Sequence, residues 1–532
     1  MKKTLEKIFS RIFLVSIAIL LQILWICGAM FILSWYYKAI SIVFLVLSVI
    51  MVFRNLIKWD YNPSYVLAWS VPMLVFPVFG LTIYFLFGRA SLTRNKRRKY
   101  AEIQKKYSKY LSEGINNRQA YEEVLAEDVS VARQTDYITK WAGYPLWKDT
   151  YNKYYESGEA MFPDMLKELR KAKHFIFMEF FIINTGVMWD SVLEILEQKV
   201  KEGVDVRLTY DDVGSISYLP AHYYKVLQAK GIKCAAFNPY RPVMSVIMNN
   251  RNHRKILVVD GHTAFTGGIN LADEYINAIV RFGYWKDTGI MLKGPAVWSF
   301  TCMFLSMWEY ITGVETPEEE LLKMRPQEDY KEEIPESPGE DTKLDRSTGA
   351  DGYVQPYCDS PLTKEYIGEN VYRNIISRAK HYCYIITPYL IIGNEMMTTI
   401  CIAAKSGVDI RVITPEIPDK PTIYMLTQSY YERLIKAGVK VYQFTPGFIH
   451  AKSFVCDDEI ATVGSINLDF RSLYMHFECG CWMYKTDSVM DVKRDFLATQ
   501  DQSREITLEF CKDKPLLKRA AAAFLRLFAP VL

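Results

Sequence analysis

Apolar residues crowd the chain before residue 90 and become periodic after it. Ile12 to Leu33 is uncharged and long enough to cross a bilayer, for which roughly 20 residues suffice. Trp35 to Phe53 is nearly as apolar, interrupted by Lys38, and Tyr61 to Gly88 is a third uncharged stretch holding Pro63, Pro72, Pro77 and Gly80. No small-residue cleavage site follows the first run, so it reads as a retained anchor rather than a signal peptide. Lys2, Lys3, Lys7 and Arg11 place one end inside, and Arg94, Lys96, Arg97, Arg98 and Lys99 place the other end inside too. Three crossings would separate those ends. The expectation is two effective crossings, with one later segment interfacial or re-entrant. The basic run after Gly88 lies against anionic headgroups or is a stop-transfer flank; both put the following domain in the cytoplasm.

From about Tyr137 the pattern alternates between strand and helix. His174 to Ile183 is aromatic and β-branched, Val192, Ile195, Leu196 and Val200 recur at helical spacing, and Val204 to Tyr210 reads as a buried strand. The second half repeats the plan with a strand at Tyr382 to Ile392, a helix at Glu395 to Lys405 and a strand at Val408 to Ile413. KEGVDVR, ending at Arg207, matches KSGVDIR, ending at Arg411, and AKGIK at Gly231 matches KAGVK at Gly438. Landmarks recurring in order at long offset describe a duplicated α/β domain, not a short-period solenoid. The expected divisions are a membrane anchor at 1–90, a basic amphipathic connector at 91–136, a first lobe at 137–314, an acidic flexible linker at 315–351, a second lobe at 352–512 and an amphipathic tail at 513–532.

Composition narrows the class. Of 532 residues half are hydrophobic, and the net charge of +4 is too small to point to nucleic acid. The ten cysteines form no C-x2-C pair, so a zinc site is not expected, and buried reduced thiols are.

One short phrase occurs twice. His253, Lys255 and Asp260 stand in HRKILVVD, and His450, Lys452 and Asp457 stand in HAKSFVCD. Gly267 and Asn270 follow the first copy at the offsets where Gly464 and Asn467 follow the second, in a chain with seven histidines. On a strand, residues two apart share a face, so each copy would present an imidazole and an ammonium to one crevice, with an asparagine amide nearby. Two facing half-sites suit a phosphodiester. Lysines and asparagines hold the non-bridging oxygens, one His attacks phosphorus, and the other protonates the departing alkoxide and then activates the incoming hydroxyl. The lysines supply the charge that a metal would, so neither metal nor cofactor is expected. Matching DTGIML with ECGCWM aligns Asp287 with Glu478 as candidates to orient the histidines, with Asp260 and Asp457 as alternatives that would otherwise fix the backbone. His174, His222, His262, His381 and His476 lack a partnered pattern and read as structural or surface residues. Glu179, in an apolar strand, is paired with a cation or near the site, and Asp211 and Asp212 follow a strand end, where α/β folds place function, with a polar loop as the other reading.

The doubled motif resembles that of the phospholipase D superfamily, and most closely its bacterial cardiolipin synthases. EFFIINTGVMWDSVLEIL, GVDVRLTYDDVGS, NHRKILVVDGHTAFTGGINLADEY, FGYWKDTGIMLKGPAV and IHAKSFVCDDEIATVGSINLDFRS carry the resemblance, with the apolar N-terminus and the closing FLRLFAPVL. It implies transmembrane helices followed by two α/β/α sandwich lobes sharing one site. It also implies a phosphatidyl-histidine intermediate and transfer to a second phosphatidylglycerol, giving membrane cardiolipin and free glycerol. His253, Lys255, Asp260, His450, Lys452 and Asp457 fit the motif as catalytic residues, and Asn270, Asn467 and Ser465 as phosphate-binding ones. Ser465 follows the glycine only in the second copy; Gly268 stands in the first. By analogy with the superfamily, His253 is favoured as nucleophile and His450 as acid and base.

MSVIMNN, at 244–250, lengthens the first half before its motif and is expected to form a lipid-facing lip with Met244 and Ile247. A phospholipase D-type hydrolase, a nuclease or another phosphatidyltransferase are the competing enzyme readings. A nuclease needs no apolar anchor and should show a basic groove. A scaffold with degenerate motifs ranks last, because both copies are intact.

Overall fold

The computed structural model describes residues 17, 19–24, 35–57, 63–88, 94–112, 117–240, 250–326 and 352–531. Most of Ile12–Leu33, the basic residues before it, residues 327–351 of the expected linker, and Met244 and Ile247 lie outside the described residues, while the start of that linker is ordered, with helix Glu318–Lys323 burying Leu321 and Glu320 paired with Arg207 at 2.7 Å. The chain divides into two units, one comprising Met1–Arg97, Pro239–Asn250 and Leu516–Leu532, the other Arg98–Asn238 and Arg251–Pro515.

In the smaller unit, Trp35–Leu56, apolar apart from Lys38 and Arg54 near its ends, forms one helix, and its Ala39–Leu56 stretch is the one helix among the described residues long and apolar enough to cross a membrane. The stretch expected as a third segment is bent. It forms helices Pro63–Val75 and Pro77–Phe87, because Pro77 cannot continue the first helix. The two pack closely: a Cβ on Gly80 would lie 2.2 Å from the Pro72 carbonyl oxygen. Trp69 meets Tyr84 edge-on at 5.5 Å, and the Tyr84 hydroxyl donates to Asn55 Oδ1 at 2.7 Å, tying the pair to the long helix. The expected set of transmembrane helices is thus reduced, among the described residues, to one helix of spanning length. Leu516–Phe528 is helical and packs on Pro63–Val75, with Leu516, Leu517 and Phe524 exposed.

The larger unit holds both lobes. The first half contributes β1 (Tyr151–Tyr155), β2 (Phe175–Phe180), β3 (Asp205–Asp211), β4 (Lys233–Phe237), β5 (Arg251–Asn252), β6 (Ile256–Val259), β7 (Thr263–Gly267), β8 (Tyr284–Lys286) and β9 (Gly289–Lys293). The second contributes β10 (Tyr353–Asp359), β11 (Tyr382–Ile386), β12 (Leu390–Ile391), β13 (Asp409–Pro415), β14 (Lys440–Phe444), β15 (Gly447–Ile449), β16 (Ser453–Cys456), β17 (Ile460–Gly464), β18 (Leu468–Asp469), β19 (His476–Tyr484) and β20 (Ser503–Ile506). One sheet runs β1-β9-β7-β6-β2-β3-β4 and the other β10-β19-β17-β16-β11-β13-β14-β20. The shared order of the inner strands is the duplication seen in three dimensions. The single strand expected over Tyr382–Ile392 breaks between β11 and β12, around Pro388, which has no amide to give a ladder.

The interior strands are buried on both faces, as their near-continuous Val, Ile and Phe content requires. Helix Val297–Thr312 is buried from Val297 to Trp308 because it is apolar on every side and packs against strands of both lobes. Helices within 98–137, in the stretch expected as a connector, belong to this unit. Trp298 Nε1 donates to Tyr110 O, and Gln355 Nε2 donates to Thr135 O at 3.0 Å. The nine described cysteines are buried free thiols.

Candidate active site

Each motif histidine is delivered by a very short strand that pairs with the other lobe. β5 runs parallel to β19, Arg251 opposite His476 and Asn252 opposite Phe477. The next amide, that of His253, donates to Phe477 O at 2.9 Å. In the second copy β15 runs parallel to β8, Ile449 opposite Lys286, and the His450 amide donates to Lys286 O at 2.6 Å. The register therefore sets His253 beside Glu478 and His450 beside Asp287. After each H-x-K the chain enters its own lobe as β6 or β16. The tripeptide is thus an extended link between two sheets, rather than part of a strand as the spacing suggested.

His253 Nδ1 lies 2.9 Å and 3.0 Å from the two Glu478 carboxylate oxygens. His450 Nδ1 lies 2.6 Å from Asp287 Oδ2. The acids aligned by sequence are thus crossed: each serves the histidine of the opposite lobe. A carboxylate at Nδ1 fixes the tautomer with hydrogen there, leaving the Nε2 lone pair free. Burial, then the ammonium groups of Lys255 and Lys452, push both imidazoles well below their usual range. Burial also raises Asp287 to about 6 and lowers Lys255 to about 7 and Lys452 to about 8. Each lysine bonds the carbonyl of its own histidine and feels both Asp287 and Glu478, so all six groups surround one centre.

Asp260 and Asp457 stand elsewhere. Asp260 accepts from the amides of Lys173, His174 and Phe175 at 2.7 to 2.8 Å, and Asp457 from those of Lys380, His381 and Tyr382 at 2.7 to 2.9 Å. Their oxygens hold the turns that open β2 and β11, which corrects their place among the catalytic residues. Ser465 Oγ donates to Glu478 Oε2 at 2.5 Å, so its hydroxyl steadies the acid instead of facing a phosphate. Asn270 Oδ1 accepts from the Ile182 amide at 3.0 Å, and its Nδ2 donates to the Tyr275 hydroxyl at 2.7 Å, commitments that also depart from a free phosphate donor. Asn467 reaches Asp469, and its buried Oδ1 has no partner among the described residues. The motif glycines allow close approach: a Cβ on Gly267, at φ 152°, would lie 2.4 Å from Thr288 O, and one on Gly464 2.4 Å from Cys479 O. A Cβ on Gly268 would lie 2.0 Å from Asp287 Oδ1, so the first copy cannot carry the serine of the second unless its acid moves.

Several neighbours escaped the sequence reading. Trp285 packs on His450 with ring centroids 5.6 Å apart, and His476 packs on His253 at 5.7 Å. Each stands two residues before its acid, a shared spacing that could have found them. His476, expected as a bland residue, is buried and accepts from Arg471 Nε at 3.5 Å. Tyr275 and Phe448 add to the aromatic wall at His450, at 5.5 and 5.9 Å, and Phe181 meets His253 at 4.9 Å. Glu179 and Asp211 are both fully buried behind the site. Glu179 pairs with Arg254 at 2.8 Å, and Asp211 pairs with Arg251 at 3.0 Å and accepts from the Asn252 amide at 2.9 Å, so both anchor the segment that presents His253. Asp211 is therefore no solvated loop residue. His253, His476 and Glu478 are the one cluster among the described residues with metal-ligand spacing, their ligand atoms within 4.8 Å of one another. The surrounding Lys255, Lys452 and Arg471 oppose a further dication there.

Comparison with known proteins gives the family. The family profile "Cardiolipin synthase, PLD-like domain" matches residues 165–297 and 372–499, and "Phospholipase_D-nuclease N-terminal" matches 42–89. The cardiolipin synthase of Alkalihalophilus pseudofirmus is 31% identical over 94% of this chain and 95% of its own. That of Halalkalibacterium halodurans is 32% identical with the same coverage. The phosphatidylserine synthase of Haemophilus influenzae shares the fold, with a TM-score of 0.54 at 14% identity over 76% of this chain and 100% of its own. Two lobes built alike, each completing the other's histidine, together with relatives that match nearly end to end, show that the chain belongs to the cardiolipin synthase family.

Proposed function

We propose that this protein joins two phosphatidylglycerol molecules into cardiolipin and releases glycerol. The observation that carries the reading is the crossed pairing, which gives two neutral imidazoles with opposed jobs around one centre flanked by two ammonium groups. His253 Nε2 attacks phosphorus while the glycerol oxygen leaves with the proton of His450. The P–O bond breaks as the P–N bond forms. The primary hydroxyl of the second lipid then gives its proton to His450, bonds to phosphorus and displaces His253. Lys255 and Lys452 hold the non-bridging oxygens and offset charge on the five-coordinate phosphorus. An anionic substrate between the lysines raises the proton affinity of His450, as its acid role requires. Glu478 and Asp287 stabilise each imidazolium as it forms.

One phosphodiester replaces another, so no nucleotide is consumed. Water is the competing acceptor, and the aromatic wall of Tyr275, Trp285 and Phe448 beside His450 limits its access. The apolar helix and the N-terminal family match support a seat in the bacterial cell membrane, and the basic run from Arg94 to Lys99 supports a cytoplasmic site. The test is purified full-length protein given labelled phosphatidylglycerol in micelles. Cardiolipin with equimolar glycerol is expected; phosphatidic acid as main product would make the enzyme a hydrolase. In the H450A variant, lipid label should remain on the peptide carrying His253.

A further inference from the structure

The two halves differ sharply at one place beside the site. Phe175 pairs with Asp205 as Tyr382 pairs with Asp409, and the Ile183–Leu271 bridge repeats as Leu390–Leu468. By that register Ile182 of the first half answers to Tyr389. At matching offsets after β3 and β13, Ser215 and Ile216 answer to Asp419 and Lys420. Two isoleucines and a serine bonded to backbone in one half thus answer to a trio carrying two charges in the other. The Tyr389 hydroxyl donates to Asp419 Oδ2 at 2.6 Å, and Lys420 Nζ donates to the same oxygen at 2.8 Å and to the Tyr389 hydroxyl at 2.9 Å. Asp419 Oδ1 takes no hydrogen bond among the described residues. The trio flanks His450: Tyr389 packs on Phe448, with ring centroids 6.4 Å apart, and Phe448 packs on His450 at 5.9 Å. The charges of Asp419 and Lys420 both act on His450, and that of Asp419 also acts on Lys452. Lys420 is 60% exposed and Asp419 17%, so the trio runs from solvent inward to the site.

In the proposed reaction the leaving glycerol and the incoming lipid occupy the same side of phosphorus, that of the acid and base. The incoming headgroup is a glycerol carrying a free secondary hydroxyl, with an anionic phosphodiester on its far carbon. We propose that Tyr389, Asp419 and Lys420 form the headgroup subsite of the acceptor lipid. Asp419 accepts from the secondary hydroxyl, Tyr389 holds that carboxylate in place, and Lys420 pairs with the acceptor's phosphodiester. Ile182, Ser215 and Ile216 offer the other side no charge, and the Ser215 hydroxyl is held by backbone groups. The inference rests on the transferase reading and assigns a selectivity the doubled motif lacks.

The experiment is a competition between acceptors. Full-length enzyme receives labelled phosphatidylglycerol with a fixed concentration of ethanol, and the ratio of cardiolipin to phosphatidylethanol is measured. Both products come from one intermediate, so the ratio reads acceptor choice and does not depend on how much enzyme is folded. Losing one charged contact should lower it about tenfold in K420Q and D419N. Y389F should lower it less, and K420R should keep most of it. Ratios within about twofold of the unaltered protein in both K420Q and D419N would overturn the subsite, twofold being well inside one charged contact. Unaltered protein that makes no cardiolipin would overturn the transferase reading beneath it, a distinct outcome.

Discussion

Replacing Glu478 with glutamine isolates what a crossed carboxylate contributes. The wild-type carboxylate accepts from His253 Nδ1 at 2.9 and 3.0 Å and from Ser465 Oγ at 2.5 Å. A glutamine keeps the shape but has one acceptor oxygen. If that oxygen keeps the serine, the amide nitrogen faces Nδ1 and favours the imidazole tautomer with hydrogen on Nε2, the attacking atom. The imidazolium formed on attack also loses its counter-charge. A hydrogen bond to a charged group contributes about 1.5–3 kcal/mol, or roughly 10- to 150-fold in rate, and a wrong tautomer extends such losses toward about 10⁴. E478Q should therefore lose at least about 10²-fold in kcat/KM with little change in Tm, since volume and burial are conserved. The informative assay replaces glycerol with a nitrophenyl leaving group, which needs no proton. D287N, which impairs only the acid and base, should then regain the first half-reaction and accumulate lipid-labelled enzyme. E478Q should stay slow, because its defect is in attack. E478Q within about fivefold of wild type, well short of one charge-assisted contact, or rescue of E478Q by the nitrophenyl group, would refute the assignment of Glu478 to the nucleophile.

Three further outcomes are expected. The kcat/KM profile should fall below pH 6, as Asp287 with its pKa of about 6 takes up a proton. It should fall again between pH 7 and 8, as Lys255 and then Lys452 lose theirs, and K255R should move the onset of that alkaline limb upward, from about pH 7 to about pH 8. G268A should cost about 10²-fold or more in activity, because the new methyl lands 2.0 Å from Asp287 Oδ1, while S465G, which removes the hydroxyl that Glu478 shares with the Cys479 backbone, should cost about tenfold; the reverse order would show that Asp287 tolerates displacement. D457A strands three backbone amides and should lower stability by about 2–3 kcal/mol in chemical denaturation, while the folded fraction keeps kcat within about threefold, less than one lost hydrogen bond; a collapse of kcat without loss of stability would return Asp457 to the chemistry.

The duplication was legible because buried strands and helix ends leave local marks. KEGVDVR and KSGVDIR close equivalent helices and open β3 and β13, and each element can be read from its own neighbours. The crossing of the acids was not legible. It depends on β5 and β15, two and three residues long, whose partners lie far along the chain and which are too short to show a strand period. Asp260 and Asp457 show the opposite trap. Their fixed spacing from His looks like chemistry, yet four strand residues carry them to the far end of β6 and β16, where they bind turns. Tyr61–Gly88 read as one stretch because uncharged composition hides a proline break.

The exchange of acids between lobes also bears on how the enzyme comes into being. A ribosome releases the first lobe holding His253 without Glu478 and Asp287 without His450. Until β19 is made and docked, His253, the proposed nucleophile, has no carboxylate at its Nδ1. An unfinished or truncated copy beside a bilayer therefore cannot cleave the lipids around it, and full-length synthesis acts as the safety catch on a potential phospholipase.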